Sequence, residues 1–148
     1  MLKTSTLTMA HPTGDDLQFT ATFPKVRAVS IDSGGAADAD PGPMDLILAA
    51  LGACTAMDVI TILRKQRQDV TRYEVVVTGD RRTENPKIYT SIDVTHRVRG
   101  RRLNRAGIER AVELSDTKYC SVHAMLRDTV PIHSRIELII EESVAPVT

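Results

Sequence analysis

The sequence predicts an α+β fold, and two observations carry that prediction. Short stretches of alternating polar and apolar residues are interrupted by one long apolar helix and, later, by two shorter helical segments. The predicted order is β-β-β-α-β-β-α-α-β, without an internal repeat or a βαβ crossover pattern. At 148 residues with 42% apolar residues, the chain is long enough to bury a core as one domain over residues 1–148.

The N-terminal third predicts three short strands. Residues 2–10 alternate in polarity, residues 11–15 read as a turn, and residues 17–23 return as a second strand. After Pro24, residues 26–31 form a third. The segment from Ser33 to Pro43, which contains Gly34 and Gly35, is the one long loop.

A long helix follows. Pro43 suits its first position, Asp45 stabilises its positive end, and Arg64, Lys65 and Arg67 stabilise its negative end. Because the helix is apolar on every face, we expect burial on all sides, and a second copy of the chain to supply part of the cover. A membrane span is the rival interpretation, which Asp58 near the middle disfavours.

The second half predicts two more strands, two helices and a closing strand. Residues 73–78 and 89–98 alternate around a turn at residues 84–86, and Asn104 can cap the next helix. A further helix over about residues 118–129 would bury Val122, Met125 and Leu126. Residues 132–142 close the chain as a strand.

Composition excludes several function classes. The chain has zero formal net charge, no Trp and few other aromatics, which argues against nucleic-acid binding by base stacking. Nucleotide-binding glycine motifs and CxxC or HxxxH spacings are absent, so we expect no cofactor and no metal. Without an evident signal sequence, the expected location is cytoplasmic, where two cysteines are usually reduced.

The two cysteines differ in setting. Cys120 falls in the first turn of a predicted helix, where free N–H groups stabilise a thiolate, and His123 and Arg127 share its face. A reactive thiol and a merely polar face both fit that spacing. Cys54 has Asp58 at i+4, and a carboxylate opposes thiol ionisation, so spacing alone favours a buried structural cysteine there.

Two long motifs change that interpretation. The segments PMDLILAALGACTAMDV at residues 43–59 and KYCSVHAML at residues 118–126 strongly resemble the central-helix and second-cysteine motifs of the OsmC/Ohr family, particularly its OsmC-like, YhfA-like branch. The resemblance implies antiparallel sheets around a long buried central helix in an interwoven homodimer. It also implies oxidative or osmotic stress defence.

In family terms, Cys54 would be the peroxidatic cysteine that attacks an organic hydroperoxide, and Cys120 the resolving cysteine, reset by a dithiol such as a lipoyl protein. Reductase members place a Glu after the helix proline, paired with an Arg from an early strand. Here Met44 occupies the position of that Glu. Asp45 is the nearest acid to it, and Arg27 is the nearest counterpart of the Arg. The alternative function is a non-enzymatic binder of an apolar or redox-active small molecule at the dimer interface.

Overall fold

The structure, a computed structural model, describes residues 1–9, 17–33 and 39–142, which form two compact units, residues 1–47 and 48–148. The predicted turn at residues 11–15 and Gly34 and Gly35 of the predicted loop lie outside the described residues. The single-domain assignment stays a prediction. The elements, in chain order, are β1 (Thr6–Met9), β2 (Phe19–Phe23), β3 (Val26–Ile31), α1 (Pro43–Lys65), β4 (Asp69–Arg81), β5 (Tyr89–Arg101), α2 (Arg105–Leu114), a π-helical segment (Ser115–Tyr119), α3 (Ser121–Leu126) and β6 (Ile132–Ile140).

In the N-terminal unit, the three predicted strands are present and form an antiparallel sheet in the order β1-β2-β3. A two-residue turn, Pro24 and Lys25, joins β2 to β3, and Lys25 adopts a φ of 66° there. The unit leaves an open apolar groove of about 490 Å³. Its apolar lining residues are Leu7, Leu17, Phe19, Ile31, Pro43 and Leu46.

Both ends of α1 follow from local sequence. Asp45 Oδ2 accepts a hydrogen bond from the Gly42 N–H at 2.9 Å, which satisfies a backbone donor at the helix start. At the other end, the N–H groups of Arg67 and Gln68 donate to the carbonyls of Arg64 and Leu63. Arg67 has a φ of 55°, so the helix ends in the Schellman arrangement that more often uses glycine.

The second unit contains a sheet in the order β4-β5-β6. β4 and β5 pair antiparallel, but β5 and β6 pair parallel, so the expectation of purely antiparallel sheets is wrong at this pair. The reason is the connection between them: α2, the π-helical segment and α3 together form a crossover that returns the chain in the same direction. The sequence pattern does not indicate this crossover, because two successive helical segments rather than one helix make the connection.

The core of this unit lies between α1, α2 and one face of β5. Its buried cluster comprises Val59, Leu63, Val98, Ile108, Ala111 and Val112. Only one stripe of α1 is buried, and Ala53 and Met57 are exposed, so the expected burial on all sides is not found within one chain. By length and by the apolar composition of its central part, α1 would also qualify as a membrane span. Its contribution to the core cluster favours the core-helix interpretation.

The expected helix over residues 118–129 is wrong in its bounds. Asn104 caps α2 as predicted, since its side chain accepts the Gly107 N–H at 3.0 Å. Residues 115–119, however, continue from α2 as a π-helical segment, and only Ser121–Leu126 form α3. Met125, expected to be buried, is 80% exposed, because this short helix lies at the surface and buries none of its residues fully.

His96 on β5 is buried with limited hydrogen bonding. Its Nδ1 lies 2.7 Å from the Tyr73 hydroxyl, while its Nε2 has no partner among the described residues. Burial lowers the pKa of His96 below the ordinary value of a histidine, and the charge of Asp116 opposes this shift in part.

This pKa shift predicts acid sensitivity. Because the folded-state pKa lies below the unfolded-state value, the unfolded chain binds more protons as the pH falls through about 6.5. The stabilisation is therefore complete above pH 6.5 and decreases on acidification. We expect His96→Gln, which cannot titrate, to lose less stability than the wild type between pH 8 and pH 5. Urea denaturation at each pH measures the difference, and parallel pH profiles would contradict it.

Candidate active site

Two side chains of α1 and one from the segment before α3 converge on one point. The Sγ atoms of Cys54 and Cys120 and a carboxylate oxygen of Asp58 all lie within 4.8 Å of one another. Cys54 and Asp58 share one face of α1 because they are four residues apart. Cys120 is buried, whereas Cys54 and Asp58 are partly exposed. The structure thus brings both predicted cysteines and Asp58 together.

The backbone on both sides fixes Cys120. Its N–H donates to the Ser115 carbonyl at 2.9 Å, which closes the π-helical segment. Its Sγ accepts the His123 N–H at 3.4 Å, so Cys120 is the N-cap of α3 and lies just outside the first turn in which the sequence placed it. The π-helical segment and the N-cap position of Cys120 therefore orient its thiol toward α1.

The surroundings of Cys120 favour the neutral thiol. Burial raises the pKa of Cys120 to about 12, and the hydrogen bond and charge of Cys54 and the charge of Asp58 act in the same direction. The His123 N–H lowers it but is outweighed. The predicted stabilisation of a thiolate by the start of the helix is present at Cys120, yet the side chain keeps its proton at neutral pH.

Hydroxyl groups hold Asp58. Ser115 Oγ donates to Asp58 Oδ2 at 3.1 Å, and Thr55 Oγ1 lies 2.8 Å from Ser115 Oγ. Both hydroxyl residues are essentially inaccessible to solvent. Within the described part of residues 48–148, no Lys, Arg or His nitrogen lies within 4.0 Å of the Asp58 carboxylate. The carboxylate beside the two thiols is therefore held in place by hydroxyl groups rather than by a cation.

Of the other predicted neighbours, His123 and Arg127 belong to the same unit as the two cysteines. His123 Nε2 lies 4.0 Å from Asp116 Oδ1, so this imidazole faces a different carboxylate, and its Nδ1 has no partner among the described residues. Arg127 is an exposed residue at the end of α3 and forms no ion pair with any described residue. In the N-terminal unit, Arg27 is exposed on β3, and Asp45 caps α1.

Sequence reasoning missed several polar groups of this site. Thr55 and Ser115 form the hydroxyl pair that holds Asp58. Tyr73 stacks on His96, and burial, then the charges of Asp116 and Asp58, raise the pKa of its hydroxyl. Thr55 lies three residues before Asp58 on α1, which was a usable signal. No sequence signal indicated the contact between Ser115 and Asp58, because residues 115–117 have the pattern of a helix break.

Surface features differ on the two flanks of α1. On the side of the cysteine pair, a cavity of about 220 Å³ is lined by Asp58, Thr61, Ile62, Lys65 and Tyr119. A groove of about 350 Å³ lies along the other flank, lined by Leu48, Ala49, Gly52, Ala53, Ala56, Val75 and Val77. Next to Cys54 on the helix surface, at i−4 and i+3, are the exposed apolar residues Ala50 and Met57.

Comparison with known proteins places the chain in a family. The model of the OsmC-like protein family matches residues 34–135. Protein YhfA of Escherichia coli strain K12 is 45% identical over 106 residues, which are 72% of this chain and 79% of that relative. The crystal structure of a hypothetical protein from Aquifex aeolicus VF5 has a TM-score of 0.81 at 29% identity, covering 96% of this chain and 99% of the other.

A more distant neighbour shares the fold alone. The organic hydroperoxide resistance protein OhrB of Bacillus subtilis has a TM-score of 0.62 at 16% identity, covering 93% of this chain and 98% of the other. The mixed α+β architecture with two three-stranded sheets is thus that of OsmC and Ohr proteins. On the family match and the identity to YhfA, the chain belongs to the OsmC-like family.

Proposed function

We propose that this protein reduces organic hydroperoxides to alcohols through Cys54 and Cys120. The observation that carries the proposal is the convergence of the two thiols, whose sulfur atoms lie within 4.8 Å of each other. The OsmC/Ohr family includes organic hydroperoxide resistance proteins, which supports the same reaction here. In this role the protein would serve oxidative or osmotic stress defence in the cytoplasm.

The proposed cycle has three balanced steps. The Cys54 thiolate attacks the outer oxygen of ROOH, the O–O bond breaks, and with one proton the products are ROH and a sulfenic acid on Cys54. The Cys120 thiol condenses with that sulfenic acid, forming the disulfide and releasing water. An external dithiol, for instance a lipoyl group on a protein, then exchanges with the disulfide and leaves as its own cyclic disulfide.

Burial and hydrogen bonding support this division of roles. Cys54 is the more exposed sulfur and can meet a substrate, whereas Cys120 is only 3% exposed. The raised pKa of Cys120 keeps its proton available for a hydrogen bond to the Cys54 sulfur.

An organic rather than an inorganic peroxide fits the surroundings of Cys54. The exposed Ala50 lies next to it at i−4 on the helix surface and offers apolar contact to an alkyl chain. Transfer of each buried CH₂ of that chain from water would contribute about 0.8 kcal/mol. This surface supports a preference for alkyl hydroperoxides over hydrogen peroxide.

The test combines turnover with disulfide mapping. Purified protein with a dithiol should consume an alkyl hydroperoxide, and one equivalent of hydroperoxide without dithiol should convert Cys54 and Cys120 into an intramolecular disulfide detectable by mass spectrometry. No consumption, with both thiols still free, would reject the reductase. That outcome would favour the alternative function, binding of an apolar or redox-active small molecule at a dimer interface.

We also propose that the protein is a homodimer, as its apolar surfaces suggest. A single chain leaves one face of α1 exposed, including Ala53 and Met57, and leaves the apolar groove of the N-terminal unit open. A second copy that covers these surfaces would bury them as an obligate interface does. No nucleic acid or membrane is needed for the proposed function.

The dimer proposal predicts a specific dissociation. Met57→Arg should convert the dimer to monomer, because the proposed interface would have to remove a guanidinium from water. Light scattering coupled to size exclusion measures the mass directly. Ile88→Arg, at an exposed residue before β5, is the matched control and should leave the dimer intact. A Met57→Arg protein that remains dimeric would show that this face of α1 is not the interface.

A further inference from the structure

The cluster formed by Cys54, Asp58 and Cys120 also has the composition of a metal site. Cys54 and Asp58 present their side chains from adjacent turns of α1, and Cys120 meets them from the N-cap of α3. Two sulfurs and one carboxylate oxygen are donor types that Zn²⁺ accepts. The spacing rules applied to the sequence predict no zinc site, because these ligands come from elements that are distant along the chain.

The charges of the cluster point to a cation. Each of the three groups becomes an anion when it loses its proton, and they lie within 4.8 Å of one another. In the described part of residues 48–148, Asp58 accepts a hydroxyl from Ser115, Cys120 accepts a backbone N–H from His123, the two thiols share a hydrogen bond, and no basic side chain pairs with Asp58. On binding, a divalent cation would displace the thiol protons, including the one that Cys120 keeps at neutral pH, and would neutralise most of the resulting negative charge.

From this geometry we infer that the reduced protein binds Zn²⁺ through Cys54, Cys120 and Asp58. Tetrahedral zinc with Zn–S of about 2.3 Å and Zn–O of about 2.0 Å separates its ligand atoms by about 3.5 to 3.8 Å. Atoms that already lie within 4.8 Å need to approach one another by at most about 1.3 Å to reach that separation. Three protein ligands leave a fourth position for water or a small anion.

The groups around the three ligands suit the same role. Ser115 Oγ donates to Asp58 Oδ2, which orients the carboxylate and leaves its other oxygen available. Thr55 holds Ser115 at 2.8 Å, and the His123 N–H donates to the Cys120 sulfur at 3.4 Å. Metal sites use such outer hydrogen bonds to fix their ligands. The 220 Å³ cavity that Asp58 lines gives a path from solvent to the carboxylate.

Zinc binding and disulfide formation exclude each other. Binding converts two thiols to thiolates and releases two protons, whereas the disulfide has no thiolate to offer. Zinc would therefore hold the pair reduced and cover Cys54, so the metal would inhibit peroxide turnover until it is removed. This inference uses the thiols of the proposed function but does not require that they react with a peroxide.

Titration of the full chain with Co²⁺, followed by displacement with Zn²⁺, tests the site. Reduced protein should bind one equivalent with the thiolate-to-cobalt charge-transfer band and the strong visible bands of tetrahedral cobalt. We expect Cys54→Ser, Cys120→Ser and Asp58→Asn each to weaken zinc binding by about 100-fold or more, and Ser115→Ala by about 10- to 100-fold. Glu109→Gln, which changes an exposed carboxylate on α2, should bind as the wild type does.

Circular dichroism establishes that each variant is folded before titration. Zinc affinity unchanged in Asp58→Asn, or unchanged after alkylation of both thiols, would overturn the three-ligand site. A reduced wild type that shows no charge-transfer band at saturating cobalt would overturn it as well. Zinc binding in a protein that consumes no hydroperoxide would retain this site and reject the proposed reductase, so the two failures are distinguishable.

Discussion

Cys54→Ser should abolish hydroperoxide turnover, with a fall of about three orders of magnitude or more in rate, because an alcohol cannot replace the thiolate as the attacking nucleophile. Cys120→Ser should behave differently. With the resolving thiol removed, Cys54 can still react once, so the variant should consume about one equivalent of hydroperoxide and then retain a sulfenic acid. Stopped-flow mixing with an alkyl hydroperoxide, followed by mass spectrometry of dimedone-labelled protein, measures both expectations.

The assignment of Cys54 as the attacking thiol and Cys120 as the resolving thiol would be contradicted if the two variants showed the opposite reactivity. If Cys54→Ser formed a dimedone adduct on Cys120 while Cys120→Ser did not react, Cys120 would be the attacking thiol. Its 3% exposure and its pKa of about 12 both argue against that result. Circular dichroism of both variants serves as the folding control, since the Cys54 and Cys120 side chains contact each other.

Local signals in the sequence predicted the elements that they control. Pro43 and Asp45 predicted the start of α1, and the Gly42 N–H does donate to the Asp45 side chain. Asn104 predicted the cap of α2, which it forms by accepting the Gly107 N–H. Each of these interactions spans only a few residues, so the information was present in a short window of sequence.

Non-local interactions account for the errors. The parallel pairing of β5 with β6 depends on how about thirty intervening residues fold into a crossover, which no local pattern specifies. The π-helical segment likewise follows from a hydrogen bond between the Cys120 N–H and the Ser115 carbonyl, five residues earlier. A sequence pattern with a period of 3.6 residues does not detect such a π-helical turn. That pattern therefore predicts Cys120 inside a helix rather than at its N-cap.

The candidate site was only partly predictable for the same reason. Cys54 and Asp58 follow from i,i+4 geometry, and the family motif pairs Cys54 with Cys120. The contact between Asp58 and Ser115 joins residues 57 positions apart. A buried hydroxyl pair, Ser115 with Thr55, occupies one side of the Asp58 carboxylate. Hydroxyl groups of this kind leave no distinctive pattern in a sequence.

Gly100→Ala should destabilise the protein severely. Gly100 lies on β5 between β4 and β6, opposite an irregularity in β4 that shifts the register between Val70 and Arg72. A Cβ atom at Gly100 would lie 2.1 Å from the carbonyl oxygen of Asp69, and that oxygen belongs to the backbone and cannot rotate away. We expect a loss of about 3 kcal/mol or more in the free energy of unfolding, at or beyond the upper end of overpacking penalties.

Gly107→Ala is the matched control, since the same change occurs within helix α2. Its new Cβ would approach Gln68 Nε2 at 2.6 Å and Gln66 Oε1 at 2.8 Å, but these are the ends of flexible side chains. Alanine also gains about 1 kcal/mol over glycine in a helix, which offsets the displaced amide contacts and leaves a net change within about 1 kcal/mol. Urea denaturation of the two variants compares them directly. Equal stabilities would mean that β4 and β5 can separate at Gly100 at little cost, and the close backbone approach would then not be a constraint on this fold.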